Sequence, residues 1–308
     1  MSLLRQRLDD YFAVRRAVGF KLVNQRELLQ SFIAHLEQRG ARTVTVELAL
    51  SWATLPADAD SSWWSKRLGM VRSFAKYLQT LEPATQVPPS DLLPSRSRRA
   101  TPYVYSDRDV SLLMQAARRQ RRPLLAGTYG TLIGLLAATG IRVGEAIRLD
   151  RDHVDFSHRL LVVHDSKFRK SREVALHETT VDALRSYVEL RDRLCLRPRA
   201  PSFFVSTVGT RLIYKNVQHK FLELVREVGL APRSARCRPR IHDLRHSFIV
   251  KTLVRWYQAG ADVEARMPLL STYVGHVGPS STYWYLSAVP ELLALVGQRL
   301  ERSLGEMP

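Results

Sequence analysis

Four short segments carry side chains whose types and spacing could do chemistry on an anion. In TGIRVGEAIRL, residues 139–149, Arg142 follows Gly140, a helix stop, and stands where the next helix begins. Backbone N–H groups at a helix start and a guanidinium both favour negative charge. Glu145, three residues on, can equally hold Arg142 in an ordinary ion pair. In DSKFRKSR, residues 165–172, Lys167, Arg169, Lys170 and Arg172 put four cations on a turn between two β-like segments. Such a tip is either a solvated hairpin or a probe for a groove of a duplex. In RIHDLRHSF, residues 240–248, His242 and Arg245 lie three apart and project from one helical face. His242 and His246 have the spacing of a metal pair, but no Glu stands between them in the zinc-hydrolase arrangement and no third ligand is evident, so no metal is expected. In LLSTYVGHVGPSSTYWYL, residues 269–286, His276 sits in a turn between Gly275 and Gly278, and Ser280, Ser281 and Thr282 read as helix caps. Tyr285 follows the histidine by nine residues; Tyr283 and Tyr273 compete with it, and clustered aromatics are by default core.

The elements that must position these groups are mostly helical. Leu4, Leu8 and Phe12, then Leu28, Phe32 and Leu36, recur at helical spacing, and Gly40 stops the second run. Thr45 can cap a short helix over residues 46–52, and Trp64, Leu68, Val71, Ala75 and Leu78 form a further apolar stripe. These four helices make an N-terminal bundle over residues 1–85 whose aromatics are expected in its core. Residues 86–102, with several prolines and with Arg96, Arg98 and Arg99, read as an extended linker, because proline cannot continue a helix. Those arginines either track a phosphate backbone or line a solvated hinge.

The second domain, residues 103–308, opens with a helix over 107–119 capped by Ser106. The uncharged stretch 123–141 is long enough to raise a membrane question. Its internal glycines and opening Pro123 point instead to a buried helix. Strands are expected at 159–164 and 173–176, and helices over 143–149, 179–194, 215–228, 243–258 and 290–304.

Composition narrows the partner. The chain of 308 residues has 47 Lys plus Arg against 29 Asp plus Glu, a net charge of +18. Residues 1–95 hold 12 basic and 9 acidic side chains, which leaves 35 against 20 in the remainder. Of the basic residues 39 are Arg, whose planar fork grips phosphate oxygens in pairs. The excess disfavours acidic or disordered classes and suggests nucleic acid, although a genome rich in GC would also inflate Arg. Two cysteines are too few for a disulfide framework or a cysteine zinc site and fit a reducing cytoplasm. The opening MSLLRQRLDDYF shows no secretory signal.

Taken together, the ordered segments resemble the tyrosine recombinase, or phage integrase, family. The likeness spans residues 103–286, and the preceding bundle resembles that family's core-binding domain. It implies a mainly α fold with a small antiparallel β-sheet, in which a SAM-like helical bundle and a catalytic domain form a C-shaped clamp on DNA. It makes Arg142 and Arg245 the clamp on the scissile phosphate, His276 a further donor, and Tyr285 the nucleophile. His242 becomes the proton acceptor or a phosphate-orienting residue, and Lys167 the hairpin lysine that protonates the leaving oxygen. The family's lysine is usually flanked by glycines, whereas Ser166 and Phe168 flank Lys167 here, so Lys170 stays an alternative.

The implied reaction is cleavage and rejoining of duplex DNA at specific sites through a 3′-phosphotyrosine and a Holliday junction, for integration or excision, with a transposon-borne element favoured. Neither metal nor cofactor is implied. The expected assembly is a homotetramer on two synapsed sites, with or without sister recombinases, in the bacterial cytoplasm at the nucleoid and away from membranes. Leu292, Val296, Leu300 and Leu304 give the C-terminal helix one apolar side for docking on a neighbouring subunit or on its own domain. Two alternatives are a type IB topoisomerase-like relaxing enzyme and a catalytically silent DNA-binding accessory protein.

Overall fold

The computed structural model describes residues 2–20, 22–94, 101–164, 171–276, 278, 280–288, 292–294 and 297. The chain divides into two compact units, residues 1–99 and 100–308. In the first, helices α1 (Leu3–Ala17), α2 (Val23–Gln38), α3 (Val46–Thr54) and α4 (Ser61–Gln79) enclose one core. Ser2, Thr45 and Asp60 accept a backbone N–H at the starts of α1, α3 and α4, the usual way to satisfy a first turn. Leu4, Leu8, Phe12, Phe32, Leu36, Leu68, Val71, Phe74 and Leu78 are buried on the inner faces. Trp52 is fully buried beneath the Arg67 guanidinium, 3.7 Å above its ring, so this tryptophan is core, while Trp63 is exposed.

Residues 86–94, part of the expected extended linker, are held against the rest of the first unit. The Gln86 N–H donates to Val44 O at 2.9 Å, Arg72 donates to the carbonyls of Pro88 and Pro89 at 2.7 and 2.6 Å, and Val87 and Leu93 pack on the bundle core. Proline lacks an N–H but keeps a carbonyl acceptor, and a guanidinium supplies the donor that the backbone cannot. Residues 95–100, with Arg96, Arg98 and Arg99, lie outside the described residues.

The second unit is built around α6 (Pro123–Thr139), the uncharged stretch. It is buried along most of its length beside α5 (Asp107–Arg118), α8 (Glu178–Leu194) and α10 (Asp243–Gln258), which explains why it is apolar all round. No described helix is long and apolar enough to cross a membrane. After α7 (Val143–Arg148) a single 3-10 turn leads into an antiparallel sheet in the order β1 (Val154–Asp155), β2 (Leu160–Val163), β3 (Arg172–Ala175). The tip joining β2 to β3, residues 165–170, lies outside the described residues.

Helix α9 (Tyr214–Glu227) completes the main core. A second cluster joins α10 to α11 (Val263–Val274) and α12 (Ser280–Ala288), with Ile249, Leu253, Met267, Leu270, Tyr285 and Leu292 buried in it. Sequence periodicity did not assign α11, because Pro268 stands inside it and proline normally breaks an interior turn. Its buried residues Val263, Met267, Leu270 and Val274 nevertheless keep helical spacing. Of the expected C-terminal helix over 290–304, only residues 292–294 and 297 are described.

Candidate active site

Two arginines far apart in the second unit's sequence, Arg142 and Arg245, are each held by a glycine carbonyl at a helix C-terminus. Gly140 ends α6 in the left-handed region, at φ 63°, and its carbonyl accepts Arg245 Nη1 at 2.8 Å. Gly275 ends α11 at φ 70°, and its carbonyl accepts Arg142 Nη2 at 2.5 Å. A glycine takes this conformation without a Cβ penalty, and the negative end of a helix suits a cation. At Gly140 a Cβ would also stand 2.5 Å from Phe248 Cδ1.

Behind Arg142 lies Glu145, a buried carboxylate shared by two guanidinium groups. Arg142 Nη1 donates to Oε1 at 2.7 Å and the Arg142 backbone N–H to Oε2 at 2.9 Å. Arg172 adds bonds of 3.2 and 2.8 Å to the two oxygens. Burial alone would raise this carboxyl, but Arg172 first and then Arg142 overcome that and hold its pKa at about 2.

Arg172 is therefore a correction to the sequence reading. It is not an exposed DNA contact on the hairpin tip: its side chain is 10% exposed, it begins β3, and its Nε donates to Tyr273 O at 2.8 Å. Opposite Val163 at the end of a four-residue ladder, it points its guanidinium toward the buried Glu145.

Arg245 carries the clearest functional signal. It is 2% exposed, and its Nη2 is buried with no acceptor among the described residues. Burial, followed by the charge of Arg142, lowers its pKa to about 9, so it stays cationic at neutral pH. A buried donor left unsatisfied is costly, and an anionic oxygen is the partner that would satisfy it.

Three histidines and Tyr285 complete the cluster. His242 precedes α10 and keeps an exposed edge; its pKa is lowered first by desolvation of the rest of the ring and then by Arg245 and Arg142. It meets His246 edge-on at 4.9 Å between ring centroids. His246 Nδ1 lies 2.5 Å from the Tyr285 hydroxyl, and the His276 ring stacks on Tyr285 at 6.4 Å. Burial first, then neighbouring positive charge, lowers both His246 and His276 to about 3.

His276 is oriented by the buried Thr282, whose Oγ1 lies 2.7 Å from His276 Nδ1 and 2.7 Å from Ser271 Oγ. Thr282 is thus not a cap: α12 already starts at Ser280, which turns this hydroxyl inward. Among the competing tyrosines, Tyr283 is 43% exposed, and Tyr273 bonds Ala175 O through its hydroxyl while stacking on Phe248.

The structure thus gathers Arg142, His242, Arg245, His276 and Tyr285. Lys167, Arg169 and Lys170 lie outside the described residues. His246 and Thr282 entered the sequence reading only as a metal partner and a cap; their position within a turn of His242 and Tyr285 was the available signal. Asp150, Asp152 and His153 have ligand atoms within 4.8 Å of one another. Asp150 is already paired with Arg211 at 2.5 Å and donates its N–H to His153 Nδ1 at 3.1 Å.

The model of the phage integrase family matches residues 104–291. The chain belongs to this family, the tyrosine recombinases, enzymes that cleave and rejoin DNA. Its relatives include the putative integrase/recombinase y4rB of Sinorhizobium fredii, 44% identical over 98% of each chain. In fold this integrase-family chain is similar to the Tn1549 transposon integrase in complex with transposon right end DNA, with a TM-score of 0.66 and 16% identity over 98% of this chain and 100% of that one. It is also similar to a lambda integrase tetramer bound to a Holliday junction, with a TM-score of 0.62 and 15% identity over 92% and 76%.

Proposed function

We propose that this recombinase cleaves duplex DNA at specific sites by attack of Tyr285 on a phosphodiester held between Arg142 and Arg245. The observation that carries the reading is the buried, unsatisfied Nη2 of Arg245 in the same cluster as the Tyr285 hydroxyl. Attack builds charge on the non-bridging oxygens, and fixed guanidinium donors stabilise that charge where it develops. His276, steered by Thr282 through Nδ1, offers its Nε2 side as a third donor, and His242 orients the phosphate. Lys167 protonates the departing 5′ oxygen, with Lys170 as its substitute. The product is a 3′-phosphotyrosine, which the 5′ hydroxyl of another strand reverses.

Strand exchange then proceeds through a Holliday junction within a tetramer, on behalf of a mobile element, in the cytoplasm. The junction-bound lambda tetramer and the transposon integrase support this finer reading by their shared fold. Arg96, Arg98, Arg99, Arg169 and Lys170 grip flanking phosphates in this scheme. The exposed Arg233, Arg236 and Arg238, in the loop before His242, join them.

On a nicked suicide substrate, Tyr285→Phe is expected to bind DNA but form no adduct that survives denaturation, while Tyr283→Phe still forms one. An adduct in Tyr285→Phe would refute the assignment.

A further inference from the structure

The tyrosine hydroxyl does not stand alone in its cluster. Its oxygen lies 2.5 Å from Nδ1 of His246, at the end of the first turn of α10. The same imidazole presents Nε2 to Asp243 Oδ1 at 3.9 Å. Asp243 is fully buried and fastened by Arg240, whose Nη2 donates to Oδ1 at 2.8 Å and Nε to Oδ2 at 3.0 Å. A nucleophile within hydrogen-bond reach of a base, with a fixed acid on the far side of that base, is the arrangement by which side chains activate a hydroxyl.

We propose that His246 is the proton acceptor of this enzyme, taking the phenolic hydrogen of Tyr285 on Nδ1 as the tyrosyl oxygen attacks phosphorus. The inference rests on Tyr285 being the nucleophile and moves the proton from His242, the residue that the family likeness offers for that task, to its neighbour one turn along.

The tautomer follows from the geometry. For Nδ1 to accept, the hydrogen of the neutral ring sits on Nε2, which faces Asp243. Once the ring is protonated, the buried Asp243 carboxylate is within ion-pair reach of the new charge. The other charged groups oppose it: His242, Arg240 and Arg245 on or before α10, and His276 from the turn between α11 and α12. That opposition belongs to the site without DNA. A phosphate seated on Arg142 and Arg245 adds negative charge beside them and raises the basicity of His246 at the moment of attack.

In the forward step the bond from Tyr285 Oη to phosphorus forms while the phenolic proton passes to His246 Nδ1. The bond from phosphorus to the 5′ oxygen breaks with its electron pair on that oxygen, which takes a proton from Lys167. On rejoining, a 5′ hydroxyl attacks phosphorus and returns a proton to Lys167, and Tyr285 leaves with its electron pair and recovers its proton from His246.

Single-turnover cleavage of the suicide substrate tests this in the full chain. His246→Ala is expected to slow adduct formation by roughly 10²–10⁴-fold, the range of general base catalysis, with DNA affinity unchanged. His246→Gln, which keeps bulk and an acceptor oxygen but cannot carry the proton, is expected to be as slow and serves where the alanine variant does not fold. Replacing Tyr285 by 3,5-difluorotyrosine, a more acidic phenol, should restore most of the rate in either His246 variant and little in His242→Gln.

Full activity in His246→Gln, a defect that the acidic phenol leaves unchanged, or selective rescue of His242→Gln would overturn the proposal. Tyr285→Phe, run alongside, separates the two readings. An adduct there removes the nucleophile, whereas its loss together with a fully active His246 variant removes only the proton acceptor.

Discussion

At the scale of single residues, burial among cations holds the site's imidazoles neutral well below the pH at which water would protonate them. His246 and His276 titrate near 3 in the folded chain, against an ordinary value of 6.5. The shifts are downward, so their contribution to stability is complete above the unfolded value and is lost as pH falls from it toward the folded one. In that window the unfolded chain binds protons that the folded chain refuses. Glu145, held near 2 rather than 4.5, adds a loss of the same sign at lower pH. The urea midpoint is therefore expected to fall between pH 7.5 and 5.5, and by less in His246→Gln; an equal midpoint at both pH values would contradict the buried neutral histidines. Arg142 and Arg245 could be singled out in the sequence through the order of their segments, since either segment alone also fits an ordinary ion pair. The contact of His246 with Tyr285 was not, since it joins residues 39 apart through the packing of α12 against α10. Arg172 was misread because the turn was drawn one residue too long: this arginine begins β3 and reaches the buried Glu145, a partner 27 residues away.

At the scale of elements, the positions of Arg142 and Arg245 depend on how two helices end. Gly140 and Gly275 turn α6 and α11 into left-handed caps, and the resulting carbonyls hold Arg245 and Arg142. Gly140→Ala adds a Cβ to a left-handed residue, at about 1–2 kcal/mol, and drives it into Phe248. At Gly275 the added atom would meet Arg172 Nη1 at 2.6 Å. Both substitutions are expected to lower the thermal midpoint and to slow adduct formation far more than they weaken DNA binding. Cleavage at the normal rate by either would show that the glycine carbonyls do not set the guanidinium positions. The first cap could be read from the sequence, where an uncharged helix meets a glycine. The second was obscured because Pro268 hid the helix that Gly275 ends, although Val263, Met267, Leu270 and Val274 kept the rhythm of a buried face. The proline run after the N-terminal bundle shows a contact that composition does not reveal. It is a poor helix former as expected, yet Arg72 and Gln86 hold part of it against the bundle.

At the scale of the whole molecule, net charge is the dominant property. An excess of +18 is more than the few cations at the site need, and many of the remaining arginines are exposed. Each phosphate neutralised by Lys or Arg releases condensed counterions, so affinity falls with salt in proportion to the number of contacts. A protein making roughly 6–10 such contacts loses about 10³–10⁵ in affinity between 50 and 200 mM salt, and a loss of this order is expected for this chain on duplex DNA. A flat salt response would contradict extended phosphate binding. Composition pointed to this polyanion but not to the reaction, because the same arginine content serves a silent DNA-binding protein equally well. The buried, unsatisfied Arg245 beside a tyrosine hydroxyl is what separates a chemical site from a binding surface.

Tyr285 is expected to form the covalent bond to DNA. Trapping the full-length protein on a nicked substrate, digesting both components and locating the residual nucleotide by mass spectrometry tests it directly. The expected result is a nucleotide joined through its 3′ phosphate to Tyr285 alone. A nucleotide on Tyr283 or Tyr273, or a linkage through a 5′ phosphate, would contradict it.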